Sequence, residues 1–328
     1  MAVRANRGYS RRAVLQAAAL AGAGALLGRT VHGAVGHAPI YPPLIWKPIP
    51  ATGEMLPVIG LGTNRFSEAE YDSLKAELGR FTEAGAKVID TAAAYGDSEA
   101  VIGQSLADLG TRDQVFLATK LSGGGPRHPN TGGATAATDA PLTGQDSLDR
   151  SLQRLRTSHL DLLQVHNLNG VDELMPQLLR WKKAGKIRYL GVTTSNPADH
   201  PRMIACMNRY RLDFVQVDFS IGNRDAAASV FPVALKRRIG VIANMPLGGR
   251  SGANLAASQN RALPPWAADF GAATWAQFML KYVVSHAAVT CAVPGSTKVE
   301  HLLDNQMAGR GFLPDASMRK LMEHYWDT

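Results

Sequence analysis

The chain has 328 residues, 45% of them hydrophobic, and 35 Lys and Arg against 27 Asp and Glu give it a formal charge of +8. That length and apolar content suit a folded protein with a sizeable core and exclude a disordered chain. Two cysteines exclude a disulfide-stapled scaffold and, by themselves, a four-thiolate metal site, while the charge raises the question of a polyanionic partner.

The first forty residues answer much of that question. Arg4, Arg7, Arg11, Arg12 and Arg29 precede Pro39 and no acid precedes Glu54, so the remainder carries 30 basic against 27 acidic groups. The string Ser10-Arg11-Arg12-Ala13-Val14-Leu15, followed by an Ala-, Leu- and Gly-rich run as far as Gly28, resembles a twin-arginine export signal. Residues 1–38 are therefore expected to be a signal segment read by the twin-arginine translocase. The expected location is periplasmic or otherwise exported, with a membrane-anchored form that keeps its signal as the alternative. The run falls short of the roughly 20 apolar residues of a spanning helix, so no stable membrane span is expected. No basic helical stripe interleaved with aromatics appears, which argues against a nucleic-acid partner.

Residues 39–328 are expected to form a single domain. A proline-rich stretch leads to Thr52-Gly53 between two short apolar arms, which predicts a hairpin. Eight apolar runs follow, at 58–62, 87–90, 115–119, 160–165, 187–192, 214–217, 240–244 and 288–293. They are short, rich in Val, Ile and Leu, and bounded by Gly, Asp or Pro, as strands buried on both faces are. Helical patterns lie between them, at 69–84, 146–156, 172–184, 199–210, 226–238, 274–286 and 299–307. This alternation predicts an α/β fold, a (β/α)8 TIM barrel with an N-terminal β-hairpin; a doubly wound open sheet is the alternative. Two loops, 122–145 and 247–265, are long enough to cover the mouth of such a barrel.

On a barrel, polar residues that end strands face the catalytic mouth. Asp90 ends the second run with Tyr95 just beyond it, Lys120 follows the third, and His166 follows the fourth. An acid, a phenol, an amine and an imidazole thus converge. Free tyrosine, with a pKa near 10, is a poor acid at neutral pH, and a nearby ammonium favours its phenolate. Asp90 can hold Lys120 charged and in place, and His166 can hydrogen-bond a substrate oxygen. The set suits a general acid that protonates an oxygen gaining negative charge, as in carbonyl reduction.

Six ordered strings resemble the aldo/keto reductase family. They are Gly60-Leu61-Gly62-Thr63, Asp90-Thr91-Ala92-Ala93-Ala94-Tyr95-Gly96, Ala118-Thr119-Lys120, Asp161-Leu162-Leu163-Gln164-Val165-His166, Gln216-Val217-Asp218-Phe219-Ser220 and the run from Pro294 to Asn305. The resemblance implies NADPH (with NADH possible) lying across the top of the barrel and a small carbonyl substrate. It places the catalytic tetrad on Asp90, Tyr95, Lys120 and His166, with Tyr95 as proton donor. It puts Phe219 against the nicotinamide and gives the carboxamide to Gln216, helped by Thr193-Thr194 or by Ser195-Asn196. Gly62, Thr63, Ser220, Pro246, Leu247 and Pro294 would line the cofactor. Ser296, Lys298, His301 and Asn305, with Asp304 nearby, would hold its adenosine end. Gly295 and His301 stand where many members carry Lys and Arg, so Lys298 is left as the main cation there. A cofactor-binding sensor or interaction subunit on the same barrel is the rival reading, and an intact tetrad favours the enzyme. No pair of His residues has metal-ligand spacing, so no metal site is expected. Cys206 and Cys291 are expected as unpaired, buried thiols.

Overall fold

In the computed structural model, which describes residues 41–121, 144–249 and 251–328, the eight apolar runs become eight parallel strands. They are preceded by an antiparallel hairpin of β1 (Trp46–Pro48) and β2 (Met55–Pro57). Gly53 turns this hairpin at a φ of 81°, a left-handed conformation that costs glycine nothing. The strands then run β3 (Leu61–Gly62), β4 (Val88–Asp90), β5 (Phe116–Leu121), β6 (Leu160–Val165), β7 (Ile187–Thr193), β8 (Phe214–Asp218), β9 (Gly240–Asn244) and β10 (Val289–Ala292). Each pairs with its sequence neighbour. Parallel bridges from Ile59 to Ala292 and from Gly62 to Gly295 join the first strand to the last, so the sheet is a nearly closed barrel.

The helices are α1 (Tyr71–Glu83), α2 (Ser98–Leu109), α3 (Gly144–Arg154), α4 (Val171–Lys183), α5 (His200–Arg209), α6 (Asp225–Ala228), α7 (Val230–Arg237), α8 (Ala253–Ala257), α9 (Trp275–Ser285), α10 (Val299–Met307) and α11 (Ala316–Asp327). Their apolar stripes pack on the outer face of the barrel. On α1 the stripe is Leu74, Leu78 and Phe81, all fully buried, and each side chain contributes about 1.5–3 kcal/mol of burial. The barrel interior holds a separate cluster that includes Ile49, Leu56, Val88, Phe116, Leu162, Phe214 and Cys291. The hairpin residues Ile49 and Leu56 belong to this inner cluster, so the hairpin seals the floor of the barrel.

Two of the longer helices were not anticipated. The sequence of α2 includes Ser98, Gly103 and Ser105, weak helix formers that blur its periodicity. Gly103 sits there because a Cβ would come within 2.1 Å of the Arg154 carbonyl oxygen. The other, α11, follows the last strand and is capped by Asp315, which accepts from the Met318 amide. The Arg261 guanidinium lies 5.4 to 5.7 Å from the rings of Trp275, Tyr325 and Trp326, and donates to the carbonyls of Tyr325 and Trp326. The predicted helix 226–238 is broken into α6 and α7 at Ser229. Of the two expected loops, 122–143 lies outside the described residues and α3 begins at Gly144; the second carries the short α8.

The expected signal segment, 1–38, also lies outside the described residues. The expected exported or membrane-anchored location is not borne out. Among the described residues no helix is long and apolar enough to cross a membrane, and α1 and α4, at 13 residues, fall well short of the span required. Cys206 is half-buried and Cys291 buried, and neither forms a disulfide.

Candidate active site

The C-terminal end of β4 is held by hydroxyls. Thr63 donates to the Asp90 carbonyl at 3.0 Å, Ser98 donates to the Thr63 hydroxyl at 2.8 Å, and Thr91 and Ser98 share a hydrogen bond of 2.9 Å. The turn that follows is pinned by the Tyr95 amide on the Ala92 carbonyl and by the Ser98 amide on the Tyr95 carbonyl. Ser98 opens α2, so the helix that the sequence conceals is the one that sets the Tyr95 turn.

Lys120, next to last on β5, spans the gap to β4. Its ammonium lies 2.8 and 2.7 Å from the two carboxylate oxygens of Asp90 and donates to the Thr91 carbonyl at 2.8 Å. Both side chains are almost fully buried. Burial alone would discharge Lys120, but the opposing charge of Asp90 and the Tyr95 phenol outweigh it and raise its pKa. The Lys120 ammonium stands 5.2 Å from the centre of the Tyr95 ring. The imidazole of His166 meets the same ring edge-on, with centroids 5.7 Å apart. Backbone strain accompanies this end of the barrel. Asn167 and Leu168, directly after His166, have φ of 52° and 56°, and Met245 after β9 has 49°. Such values are unfavourable for branched or bulky side chains and cluster at working sites.

All four residues open onto one cleft of about 470 Å³. Of the residues that the resemblance assigns to the cofactor, Gly62, Thr63, Thr193, Gln216, Pro246, Leu247, Pro294, Ser296, Lys298 and His301 line the same cleft. Ser296 and Lys298 precede α10, where free backbone amides and the helix dipole favour an anion.

Five assigned residues do not line it. Phe219 is fully buried behind the barrel, with its ring 4.8 Å from Phe231 and 5.8 Å from both Tyr282 and His286. It packs with the outer core and cannot meet a ring in the cleft. Thr194 turns away to Asp199 and the Asn196 carbonyl. Ser220 accepts from the Asn223 amide and the Asn254 side chain, which ties down two loops. Asp304 bonds Thr274 and Gln277 and so anchors α10 to α9, and Asn305 is buried outside the cleft wall. Gln216 lines the cleft, but its amide nitrogen donates to Asp90 at 2.9 Å and its oxygen accepts from Gln164 at 3.2 Å. Both ends of that amide are engaged inside the protein.

The cleft also contains Ser195, one of the alternatives given for the carboxamide, and residues that the sequence reading passed over: Asn64, Arg65, Asn167, Asn244 and Met245. Asn244 ends β9 in register with Asp218. Its nitrogen donates to the Thr194 carbonyl, while its buried oxygen has no hydrogen-bond partner. The sequence signal was available, since a polar residue ending an apolar strand was the rule that found Asp90.

Comparison with known proteins bears on the family and the fold. The model of the aldo/keto reductase family matches residues 58–325. Norsolorinic acid reductase B of Aspergillus parasiticus is 32% identical over 193 residues, 54% of this chain and 48% of the relative. The chain thus aligns with about half the length of that relative. The methylglyoxal reductase YeaE of Escherichia coli is 27% identical over 287 residues, 85% of this chain and 95% of the relative. Among solved structures, an aldo/keto reductase from Klebsiella pneumoniae in complex with NADP and acetate superposes with a TM-score of 0.68 at 24% identity, covering 84% of this chain and 93% of that one. This last likeness supports the fold. The match to the family begins at residue 58, well beyond the N-terminal basic segment, so it lends no support to export.

Proposed function

Because this chain belongs to the aldo/keto reductase family of oxidoreductases, we propose that it is an NADPH-dependent enzyme that reduces an aldehyde or ketone to an alcohol, with Tyr95 as proton donor. The observation that carries this reading is the buried Lys120–Asp90 pair set against the Tyr95 phenol and the His166 imidazole in one cleft.

The residues present fit a phosphate-bearing nicotinamide cofactor. Lys298 and Arg65 bring positive charge to the cleft, Ser296 lies beside Lys298 before α10, and the partnerless oxygen of Asn244 offers an acceptor to a carboxamide N–H. When bound, NADPH supplies the hydride that reduces the carbonyl carbon.

The protein's own groups do the rest. His166 donates to or orients the carbonyl oxygen against Tyr95. As negative charge builds on that oxygen, Tyr95 gives up its hydroxyl proton to it. Lys120 then stabilises the charge left on the phenol oxygen, an interaction worth more here than in water because the pair is desolvated. Asp90 keeps Lys120 charged and fixes its position. Product release leaves Tyr95 to regain a proton from solvent through the open cleft.

The experiment is a fluorescence titration of the protein with NADPH and with NADH, followed by turnover on a panel of aldehydes and ketones. Methylglyoxal is a sensible first member, given the relative named for it. We expect NADPH to bind more tightly and to support reduction. Failure of both nucleotides to bind overturns the reading.

A further inference from the structure

Among the buried groups that the mechanism leaves without a task, Gln164 is linked to the tetrad. Gln164 on β6 is completely buried, does not line the cleft, and donates its amide nitrogen to the Gln216 oxygen at 3.2 Å. Gln216 in turn donates to one Asp90 carboxylate oxygen at 2.9 Å, the oxygen that also accepts from Lys120 at 2.7 Å. Four buried side chains from β6, β8, β4 and β5 thus form one continuous chain across the barrel interior.

We infer that Gln164 is a positioning residue, which acts through Gln216 to fix Asp90 and so to direct the Lys120 ammonium toward Tyr95. The inference rests on the function proposed above and extends it to a residue that touches neither cofactor nor substrate.

The polarity of the chain admits one arrangement. A carboxylate only accepts, so the Gln216 nitrogen must face Asp90 and its oxygen must face away. That oxygen then needs a buried donor, and the Gln164 nitrogen is the one it has. If Gln164 were turned over, two amide oxygens would face each other out of water, an arrangement costly enough to expel one of them.

The reason it matters lies in the protons of Lys120. An ammonium has three N–H groups, and the two Asp90 oxygens with the Thr91 carbonyl present three acceptors. Tyr95 is a fourth. By donating to Asp90, Gln216 weakens the hold of that oxygen on Lys120 and leaves an N–H to share with the phenol. Without the Gln164 donor, Gln216 is free to turn, and Lys120 settles fully onto the carboxylate and away from Tyr95.

The test uses the whole protein and the variants Gln164→Met, Gln216→Met and the double variant. We expect Gln164→Met to lower kcat roughly 10- to 100-fold, the scale on which small misplacements of a reacting group are felt, with KM for NADPH unchanged. The double variant should be no slower than Gln216→Met alone, because Gln164 acts only through it. Effects that multiply, or wild-type kcat in Gln164→Met, overturn the inference. If Gln164→Met does not fold, Gln164→Glu keeps the size. Its rate should fall with rising pH as the introduced carboxyl ionises and stops donating, and a profile parallel to wild type overturns the inference. A crystal structure of whichever of these two variants folds, solved without cofactor, decides the matter independently of turnover. We expect the Gln216 amide to have left Asp90 in Gln164→Met, or in Gln164→Glu crystallised above the ionisation of the new carboxyl, and an unchanged contact refutes us. If the wild-type protein reduces no carbonyl, the proposed function falls while that structure still decides this point.

Discussion

The Lys120 ammonium bridges both oxygens of Asp90, at 2.8 and 2.7 Å, where both side chains are almost fully buried. A buried pair of this kind adds little over an apolar replacement, but breaking it strands a charge. Lys120→Met should therefore cost about 3–5 kcal/mol in urea unfolding, and Asp90→Asn combined with Lys120→Met should recover most of the loss. Equal stability of the single and double variants would contradict this.

Tyr95→Phe keeps the ring against His166 and removes only the hydroxyl. Turnover should fall by roughly 10²–10⁴, the usual contribution of a positioned general acid, with NADPH affinity nearly intact. Parallel loss of binding and turnover would show the hydroxyl to be a cofactor contact instead.

Lys298 stands directly before α10 with Ser296, as a point charge beside free helix amides. Lys298→Ala should weaken NADPH roughly 10-fold or more, as expected for one charge-assisted hydrogen bond of about 1.5–3 kcal/mol. NADH, which lacks the extra phosphate, should be unaffected, so the ratio of the two dissociation constants is the measurement.

Stability should depend on pH at both ends of the range. Burial lowers Lys47 and Lys281 from 10.5 to about 8, with Arg319 adding repulsion at Lys47. Between those values the unfolded chain binds more protons than the folded one, so stability rises as pH goes from about 8 to 10.5. Burial, with the charges of Arg319 and Lys47, lowers His286 from 6.5 to about 4. The same sign applies, and stability is lost as pH falls through that interval. Urea midpoints across pH should show both slopes, and Lys281→Met should flatten the alkaline one.

Gly103→Ala sets two effects against each other. Alanine gains about 1 kcal/mol of helix propensity, but its Cβ would lie 2.1 Å from the Arg154 carbonyl oxygen and 2.6 Å from the Leu155 carbonyl carbon, both backbone atoms. Overpacking of this kind costs about 1–3 kcal/mol or more, so α2 and α3 must separate and the variant should unfold at lower urea.

Much of the barrel was legible because strands buried on both faces read as apolar runs with polar ends, and Asp90, Lys120 and His166 sit at such ends. Phe219 shows where pattern gave way to resemblance. Side chains alternate along a strand, so Gln216, facing inward, and Phe219, three positions on, point to opposite sides. The same alternation separates Thr193 from Thr194. Asn244 was readable by the strand-end rule and was overlooked. The engagement of Gln216 was not readable, since it depends on Gln164 reaching it across the barrel. Helix α2 was hidden by residues chosen for close approach to α3 and for the Tyr95 turn rather than for helix formation.

Arg261 lies within the segment that leaves β9 over the cleft, yet its guanidinium is gripped by carbonyls and rings of the final helix. The final helix thereby anchors a segment whose earlier residues, Leu247 and Leu255 among them, line the cleft. A loop of the cleft wall and the last helix, far apart in sequence, are thus tied together by one guanidinium.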